Sequence, residues 1–378
     1  MAIIFKRIVE EKIRERLFKG KVIILYGARQ VGKTTLCKRI LDDFKDEGRY
    51  LNCELLSVQH GLADLEAEKL KAYVGNYKIV VLDEAQNIPD IGKKLKMMVD
   101  TYPDLQIIAT GSSSFDLAGK VSEPLTGRAF TMVLYPLSAR EIVAASDRFS
   151  FDAHWERVLR FGLYPEVYAL PEKEAVERLD EIASDYLYKD ILRFEGMKKS
   201  NVIKNLLQLL ALQVSGEVSY QEVGRALGIS RLTVQKYIDV LEQSFVVFRL
   251  HALARNKRKE ISKSVKIYFA DVGIRNSLIQ NYNPLSLRKD AGALWENFCI
   301  AERIKANANQ GRGVNAYFWR NYSQKEVDYV EESEGAIRGY EFKLGADRRV
   351  AVKDFTDTYH SDIHLVTPKN ASGFLSLD

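Results

Sequence analysis

The chain has 378 residues, 46% of them hydrophobic, with 56 Lys and Arg against 51 Asp and Glu and a net charge of +5. That length exceeds one ordinary core and implies roughly two to four domains. No apolar run approaches the ~18 residues that span a bilayer, and the N-terminus lacks a signal-peptide core, so no membrane association and a cytoplasmic location are expected. Cys37, Cys53 and Cys299 are widely spaced and without metal-ligand pairing, which argues against a disulfide framework and predicts buried, reduced thiols.

The first element is a predicted helix over residues 4–18, with Ile4, Ile8, Val9, Ile13 and Leu17 at helical spacing and Gly20 suited to the stop. Val22 to Tyr26 then reads as a short buried strand that breaks into GARQVGKTT before a helical pattern resumes at Leu36. Gly27, Gly32, Lys33 and Thr34 fill each required position of the GxxxxGK[ST] phosphate loop. In that motif the glycines let backbone N–H groups turn toward phosphates, with the helix N-terminus adding its positive end. Lys33 brings an ammonium to the β- and γ-phosphates, and Thr34 is placed to ligand Mg2+. The candidate nucleotide-binding residues are therefore Gly27, Ala28, Arg29, Gln30, Val31, Gly32, Lys33, Thr34 and Thr35, for ATP with Mg2+.

Residues 50–53 read as a second strand and 62–74 as a helix. Residues 79–82 form an apolar run that ends in Asp83-Glu84, the acidic partner a phosphate loop requires: Asp83 for the metal, Glu84 to polarise the attacking water. The strand at 105–110 runs into a serine-rich turn, making Thr110 and Ser112 candidates to orient that water, or simply turn residues. Arg128 precedes a further strand at 130–134 and is either a finger toward a neighbouring subunit's γ-phosphate, in a homo-oligomer, or a surface cation.

The set GARQVGKTT, VVLDEAQ, IIATGSSS and TGR followed by LYPLSAREI resembles the prokaryotic AAA-type ATPases, in the branch that continues into a winged helix and a C-terminal restriction-endonuclease-like domain. The resemblance implies an α/β chain: a P-loop NTPase parallel sheet with a helical lid, then a winged helix-turn-helix and a small α/β nuclease-like domain. It makes Lys33, Thr34, Asp83 and Glu84 the ATPase core, Thr110 or Ser112 the sensor, and Arg128 the finger. The expected segments are 1–138 for the ATPase core, 139–200 for the lid, 201–285 for the winged helix-turn-helix and 286–378 for the nuclease-like part.

Beyond Pro136 the pattern is helical to about 199, interrupted at Gly162 to Pro165. Residues 201–214 are a strongly apolar helix, and residues 219–227 and 231–245 read as helix, turn, helix, with Ser219 and Ser230 as N-caps and Gly228 as the bend. Val234, Ile238 and Leu241 face the core, leaving Arg231, Thr233, Gln235 and Lys236 as groove readers. Strands at 246–253 and 264–269 flank a charged tip of Lys257, Arg258 and Lys259. Seven Lys or Arg against Glu260 between Arg249 and Lys266 give a local charge of +6, so the rest of the chain is near −1 and DNA is the expected partner.

The last part reads as a helix at 293–306 and strands at 315–320, 325–330 and 339–343. Asp328 sits mid-strand, while Glu341 and Lys343 are two apart and share one face of an extended backbone. Two carboxylates can hold a divalent metal while a lysine stabilises charge in phosphodiester cleavage. Asp328 and Glu341 are thus the candidate metal ligands and Lys343 the catalytic cation, and the family pattern adds Glu296.

Overall fold

The computed structural model describes residues 5–112, 125–189, 200–253, 265–345 and 352–377. The chain divides into two compact units: Lys6–Tyr135 with Gln243–Phe245, and Pro136–Glu242 with Val246–Asp378 and Met1–Phe5.

The first unit is built on five parallel strands, β1 (Val22–Tyr26), β2 (Gly48–Asn52), β3 (Ile79–Asp83), β4 (Gln106–Gly111) and β5 (Ala129–Val133), in the order β2-β3-β4-β1-β5. The three central strands are buried along their whole length, as strands covered on both faces must be, while β2 and β5 at the edges are only partly buried. Alternate residues make the two faces. Ile24, Tyr26, Val80, Leu82, Ile107 and Ala109 pack with Leu70 and Val74 of helix Ala67–Val74 and with Leu95 and Met98 of helix Ile91–Thr101. Ile23, Leu25, Val81 and Ile108 point the other way and are equally buried. The register Leu25↔Thr110 and Leu82↔Ala109 brings the carboxyl ends of β1, β3 and β4 to one edge of the sheet, where the phosphate loop lies.

Most predicted elements are present with boundaries shifted by one to four residues, and two of the first unit's helices move furthest at their starts. The first helix is Ile8–Arg16, because Arg7 is extended and its side chain is used elsewhere. The helix expected over 62–74 is Ala67–Val74, preceded by a separate helix Leu56–Gly61.

In the second unit, strands β6 (Glu217–Val218), β7 (Val247–Ala252), β8 (Val265–Phe269), β9 (Asn315–Arg320), β10 (Glu326–Ser333), β11 (Ala336–Phe342) and β12 (Ile363–Val366) form one sheet, β12-β11-β10-β9-β7-β8-β6. The junction is a parallel pairing of β7 with β9, His251↔Tyr317 and Ala252↔Phe318, extended by the Leu253 N–H donating to Phe318 O at 2.7 Å. The hairpin expected as a wing is therefore continuous with the strands expected as a nuclease-like sheet, and the layer crosses position 285 without a break.

The helical stretch expected as a lid folds into this second unit. Helix Arg148–Phe161 stops at Gly162 (φ +71°), where a Cβ would stand 2.0 Å from Asp271 Oδ1. Asp271 Oδ2 accepts from the Leu163 N–H at 2.7 Å, and Asn276 Nδ2 donates to Leu159 O and Arg160 O, both at 2.9 Å. These buried bonds tie the end of the helix to Val272–Leu278.

Candidate functional site

The loop after β1 is shaped by what surrounds it. A Cβ at Gly27 would meet Leu134 O at 2.2 Å, so no other residue fits there without moving the backbone. Gly32 (φ +96°) caps helix Lys33–Asp42 without a capping side chain, and Leu36 N–H donates to Gly32 O at 2.9 Å. Ala28 and Val31 are buried, Arg29 and Gln30 half-buried and Thr35 exposed. Lys33 is buried, its Nζ 2.9 Å from both Gly27 O and Ala28 O and 3.8 Å from a Glu84 carboxylate oxygen.

Asp83, at the end of β3, collects three hydroxyls. Oδ2 accepts from Thr34 Oγ1 at 2.6 Å and Tyr50 OH at 2.5 Å, and Oδ1 accepts from Thr110 Oγ1. Burial and then the Asp83 carboxylate push the Tyr50 phenol well above its usual value. Glu84 is left-handed (φ 53°, ψ 47°), a conformation uncommon for a non-glycine residue. Its N–H donates to Thr110 Oγ1 at 3.0 Å, and its carbonyl accepts from Asn87 Nδ2 at 2.8 Å. Its carboxylate accepts from Gln86 Nε2 at 2.5 Å, and the same amide reaches Ser112 Oγ at 3.3 Å. Lys33, Thr34, Asp83, Glu84, Thr110 and Ser112 are thus brought together in one network.

Arg7, Tyr50 and Gln86 were not singled out by the sequence reading. Buried Arg7 donates to Val31 O at 2.7 Å and to Tyr135 O at 2.6 Å, clamping the loop from behind. Gln86 lies inside the acidic motif, two residues past Glu84, and was readable there; Arg7 and Tyr50 carried no local signal. Arg128 lies at the other edge of the sheet: Val22 N–H at the start of β1 donates to its carbonyl at 3.0 Å. Its guanidinium pairs with Asp100 at 2.7 Å, both side chains well exposed. Within its own chain Arg128 is remote from the phosphate loop.

In the second unit, the antiparallel register Tyr329↔Tyr340 sets Asp328 opposite Glu341. Asp328 Oδ2 accepts from Phe342 N–H at 2.9 Å, and Glu341 pairs with Lys343 Nζ at 3.3 Å. Lys343 follows β11 directly, its N–H donating to Val366 O at 3.0 Å. Burial, then Asp328, pushes the Glu341 carboxyl up to about 7. Glu296, on helix Ala291–Gln310, accepts from Tyr268 OH at 2.6 Å and lies 3.5 Å from Lys266 Nζ; Lys266 also pairs with Glu326. Burial pushes the Glu296 carboxyl up, with Lys266 opposing. Burial pulls the Lys266 ammonium down, but Glu296 and Glu326 outweigh it.

Helices Tyr220–Leu227 and Arg231–Gln243 join through Gly228 (φ +65°). Ser219 Oγ accepts from Glu222 N–H at 3.3 Å and Ser230 Oγ from Thr233 N–H at 3.1 Å. Arg231, Gln235 and Lys236 are exposed, whereas Thr233 is half-buried with its hydroxyl against Ser230 at 2.8 Å. Lys257, Arg258 and Lys259 lie outside the described residues. The local charge of +6 is smaller at the surface than its count suggests. Arg249 pairs with Asp239 at 2.6 Å and with Glu242, and Lys266 is buried. All three cysteines are buried and free, and no helix among the described residues is long and apolar enough to cross a membrane.

Residues 19–143 match the AAA domain family, and residues 152–285 and 291–372 match two domains of unknown function, DUF8612 and DUF4143. The chain is similar to an uncharacterized protein of Mycobacterium tuberculosis, 28% identical over 345 residues, spanning 90% of this chain and 74% of that protein. It is also similar to an uncharacterized protein of Methanocaldococcus jannaschii, 25% identical over 349 residues, spanning 86% and 75%. Among solved structures, the RuvB Holliday junction branch migration motor of Thermotoga maritima aligns at 16% identity with a TM-score of 0.33, over 67% of this chain and 91% of that one. The domain match and the loop geometry together define the first unit as a P-loop nucleotide-binding domain of the AAA type.

Proposed function

We propose that this protein is a Mg2+-dependent, cytoplasmic ATPase that binds DNA and couples hydrolysis to its C-terminal nuclease-like part. The observation that carries the reading is the convergence of the Thr34, Tyr50 and Thr110 hydroxyls on Asp83, with Lys33 and Glu84 beside them. This donor set suits a magnesium nucleotide: a hydroxyl and a carboxylate for the cation, and a lysine at a helix N-terminus for phosphate. Residues Gly27 to Thr35 would hold the triphosphate, and Thr34 and Asp83 the Mg2+, which when bound supplies neutralisation of phosphate charge. Glu84 then polarises the attacking water, Gln86 and Thr110 fix its orientation, and Lys33 exchanges its carbonyl partners for phosphate oxygens. Arg128, exposed and far from its own loop, acts on the site of a neighbouring copy in a homo-oligomer.

DNA contact rests on Arg231 and Lys236 of the second helix together with Lys257, Arg258 and Lys259, and is expected to be phosphate-driven. Asp328 and Glu341 would hold one divalent ion at the nuclease-like part, with Lys343 beside them; two carboxylates with water and phosphate suit Mg2+. A second reading, a nucleotide-controlled switch whose nuclease-like fold does not cut, is favoured by Glu296 being bound to Tyr268 and Lys266. ATP hydrolysis measured with and without duplex DNA over a range of salt tests the main reading. Stimulation that fades with salt, loss of nucleotide binding in Lys33→Ala and retained binding without turnover in Glu84→Gln are the expected results. Retained hydrolysis in Glu84→Gln would refute its role. A metal-dependent cleavage assay on wild type and Lys343→Ala separates the two readings, equal or absent cutting in both supporting the switch.

A further inference from the structure

In the second unit a cavity of about 290 Å³ opens between helix Arg148–Phe161, helix Ala291–Gln310 and the segment from Pro368 to Leu377. Liquid water takes about 30 Å³ per molecule, so there is room for roughly ten waters, more than a lone ion needs and enough for a small organic molecule. Aromatic side chains wall it: Phe151 and Trp155 from the first helix, Trp295 and Phe298 from the second. Trp155 meets Trp295 edge to face at 5.6 Å with the planes 70° apart, and Phe298 lies 5.8 Å from Trp295 with the planes 29° apart. The Trp295 indole N–H donates to Val366 O at 3.3 Å, which fixes that ring in place. Phe151, Trp295 and Phe298 are buried, and Trp155 is half-buried. The mouth, by contrast, is charged. Arg148 donates to Ser372 Oγ and pairs with Asp152 at 3.5 Å, so the acid at the mouth already has its cation. Lys369 is exposed there and has no hydrogen-bond or ion-pair partner among the described residues. Two cations, Arg148 and Lys369, against one acid, Asp152, leave the mouth at +1.

We propose that this cavity binds a planar aromatic molecule carrying an anionic group, with the ring against Trp155 and Trp295 and the anion at Lys369. Rings held edge to face and offset present both faces and edges to a flat guest, which aliphatic walls do not. The unpartnered ammonium then selects charge, because an anion gains it as a partner while a cation meets repulsion. An aromatic carboxylate and a nucleotide's base with its phosphate share this chemistry. The site is independent of the phosphate loop, since every residue that forms it belongs to the second unit.

The test labels the full chain with 5-fluorotryptophan and follows fluorine NMR during titration with indole-3-acetate, adenosine monophosphate and tryptamine. The three tryptophans, Trp155, Trp295 and Trp319, all lie in the second unit, so a nucleotide at the phosphate loop meets none of them directly. Trp319, which packs on Phe355 at 5.5 Å and does not line the cavity, is the internal reference. Indole-3-acetate or adenosine monophosphate is expected to shift Trp155 and Trp295 but not Trp319, and the tighter of the two names the source of the ligand. Tryptamine, the same ring as indole-3-acetate with a cation in place of the anion, is expected to bind at least about fivefold more weakly. Lys369→Glu, at an exposed position that packing does not constrain, is expected to cost the anions about fivefold or more. Trp155→Ala is expected to cost about 5- to 150-fold, the worth of one stacking ring. No shift of Trp155 and Trp295 with either anion up to about 5 mM, which fills most of a site with a Kd of about 1 mM, overturns the proposal. Equal binding of tryptamine, or anion binding unchanged in Lys369→Glu, overturns it as well. Should Trp155→Ala fail to fold, the tryptamine comparison and Lys369→Glu decide the matter alone.

Discussion

Replacing Thr110 by valine keeps the shape of the side chain and removes one hydroxyl that serves two partners. That hydroxyl accepts from the Glu84 N–H at 3.0 Å and donates to Asp83 Oδ1. A neutral hydrogen bond is worth about 1 kcal/mol net and one to a charged group about 1.5–3 kcal/mol, so the network loses about 3 kcal/mol. The share that falls on Glu84, about 1–2 kcal/mol, frees a left-handed residue to relax and lowers turnover about 5- to 30-fold. Lys33 and the loop from Gly27 are untouched, so ATP affinity is expected to stay within about threefold. Steady-state hydrolysis paired with fluorescent-nucleotide binding reads both quantities, and Thr110→Ser, which restores the hydroxyl, is expected to recover most of the rate. A rate loss under about threefold, or an equal loss of affinity, would refute the claim that Thr110 orients Glu84.

Arg7→Met keeps the apolar stem but strands Val31 O and Tyr135 O; it is expected to destabilise the first unit by about 2–4 kcal/mol in urea unfolding, and a loss under about 1 kcal/mol contradicts the clamp. The Glu341 carboxyl sits at about 7 in the fold against an ordinary 4.5, so the folded state is favoured at low pH and loses that advantage as pH rises through about 7. Glu341→Gln is therefore expected to match wild type near pH 4.5 and exceed it at pH 8 by up to about 3 kcal/mol in denaturant titrations; a difference independent of pH refutes the assignment. Arg128→Ala removes only an exposed ion pair from its own chain, so stability is expected to change by less than about 1 kcal/mol. Turnover, by contrast, is expected to fall at least about tenfold and to depend on protein concentration in wild type; concentration-independent hydrolysis argues for a monomer.

The nucleotide site was legible because its chemistry is written locally. Gly27 to Thr34 are contiguous, and the acidic pair ends an apolar run, so spacing named Lys33, Thr34 and Glu84 around Asp83. Arg7 and Tyr50 were not legible, because each acts on a residue 24 or more positions away through sheet order. Helical periodicity assigned Arg7 to an ordinary first turn, whereas its guanidinium is committed to loop carbonyls. In the second unit, period-two alternation put Glu341 and Lys343 on one face, and hairpin register placed Asp328 opposite. Strand β12 was missed, since four residues, Ile363–Val366, give too short an alternation to stand out.

The joining of β7 to β9 was not read from the sequence, and it decides how the protein can be dissected. Reading the chain in segments assigned β8 to a wing and Glu296 to a separate domain, yet Lys266 and Tyr268 of that wing strand are the groups that hold Glu296. A truncation at position 285 would leave His251 and Ala252 with an open edge and the Lys266 ammonium buried without Glu296 or Glu326. Removing one partner of a buried ion pair costs about 3–5 kcal/mol, and here both acidic partners go at once. The fragment would unfold for reasons unrelated to DNA or nucleotide, and its inactivity would say nothing about which segment binds or cuts. Side-chain variants within the intact sheet, at Arg231 and Lys236 on one hand and at Asp328 and Glu341 on the other, are therefore the means of testing the proposed DNA contact separately from the proposed metal chemistry.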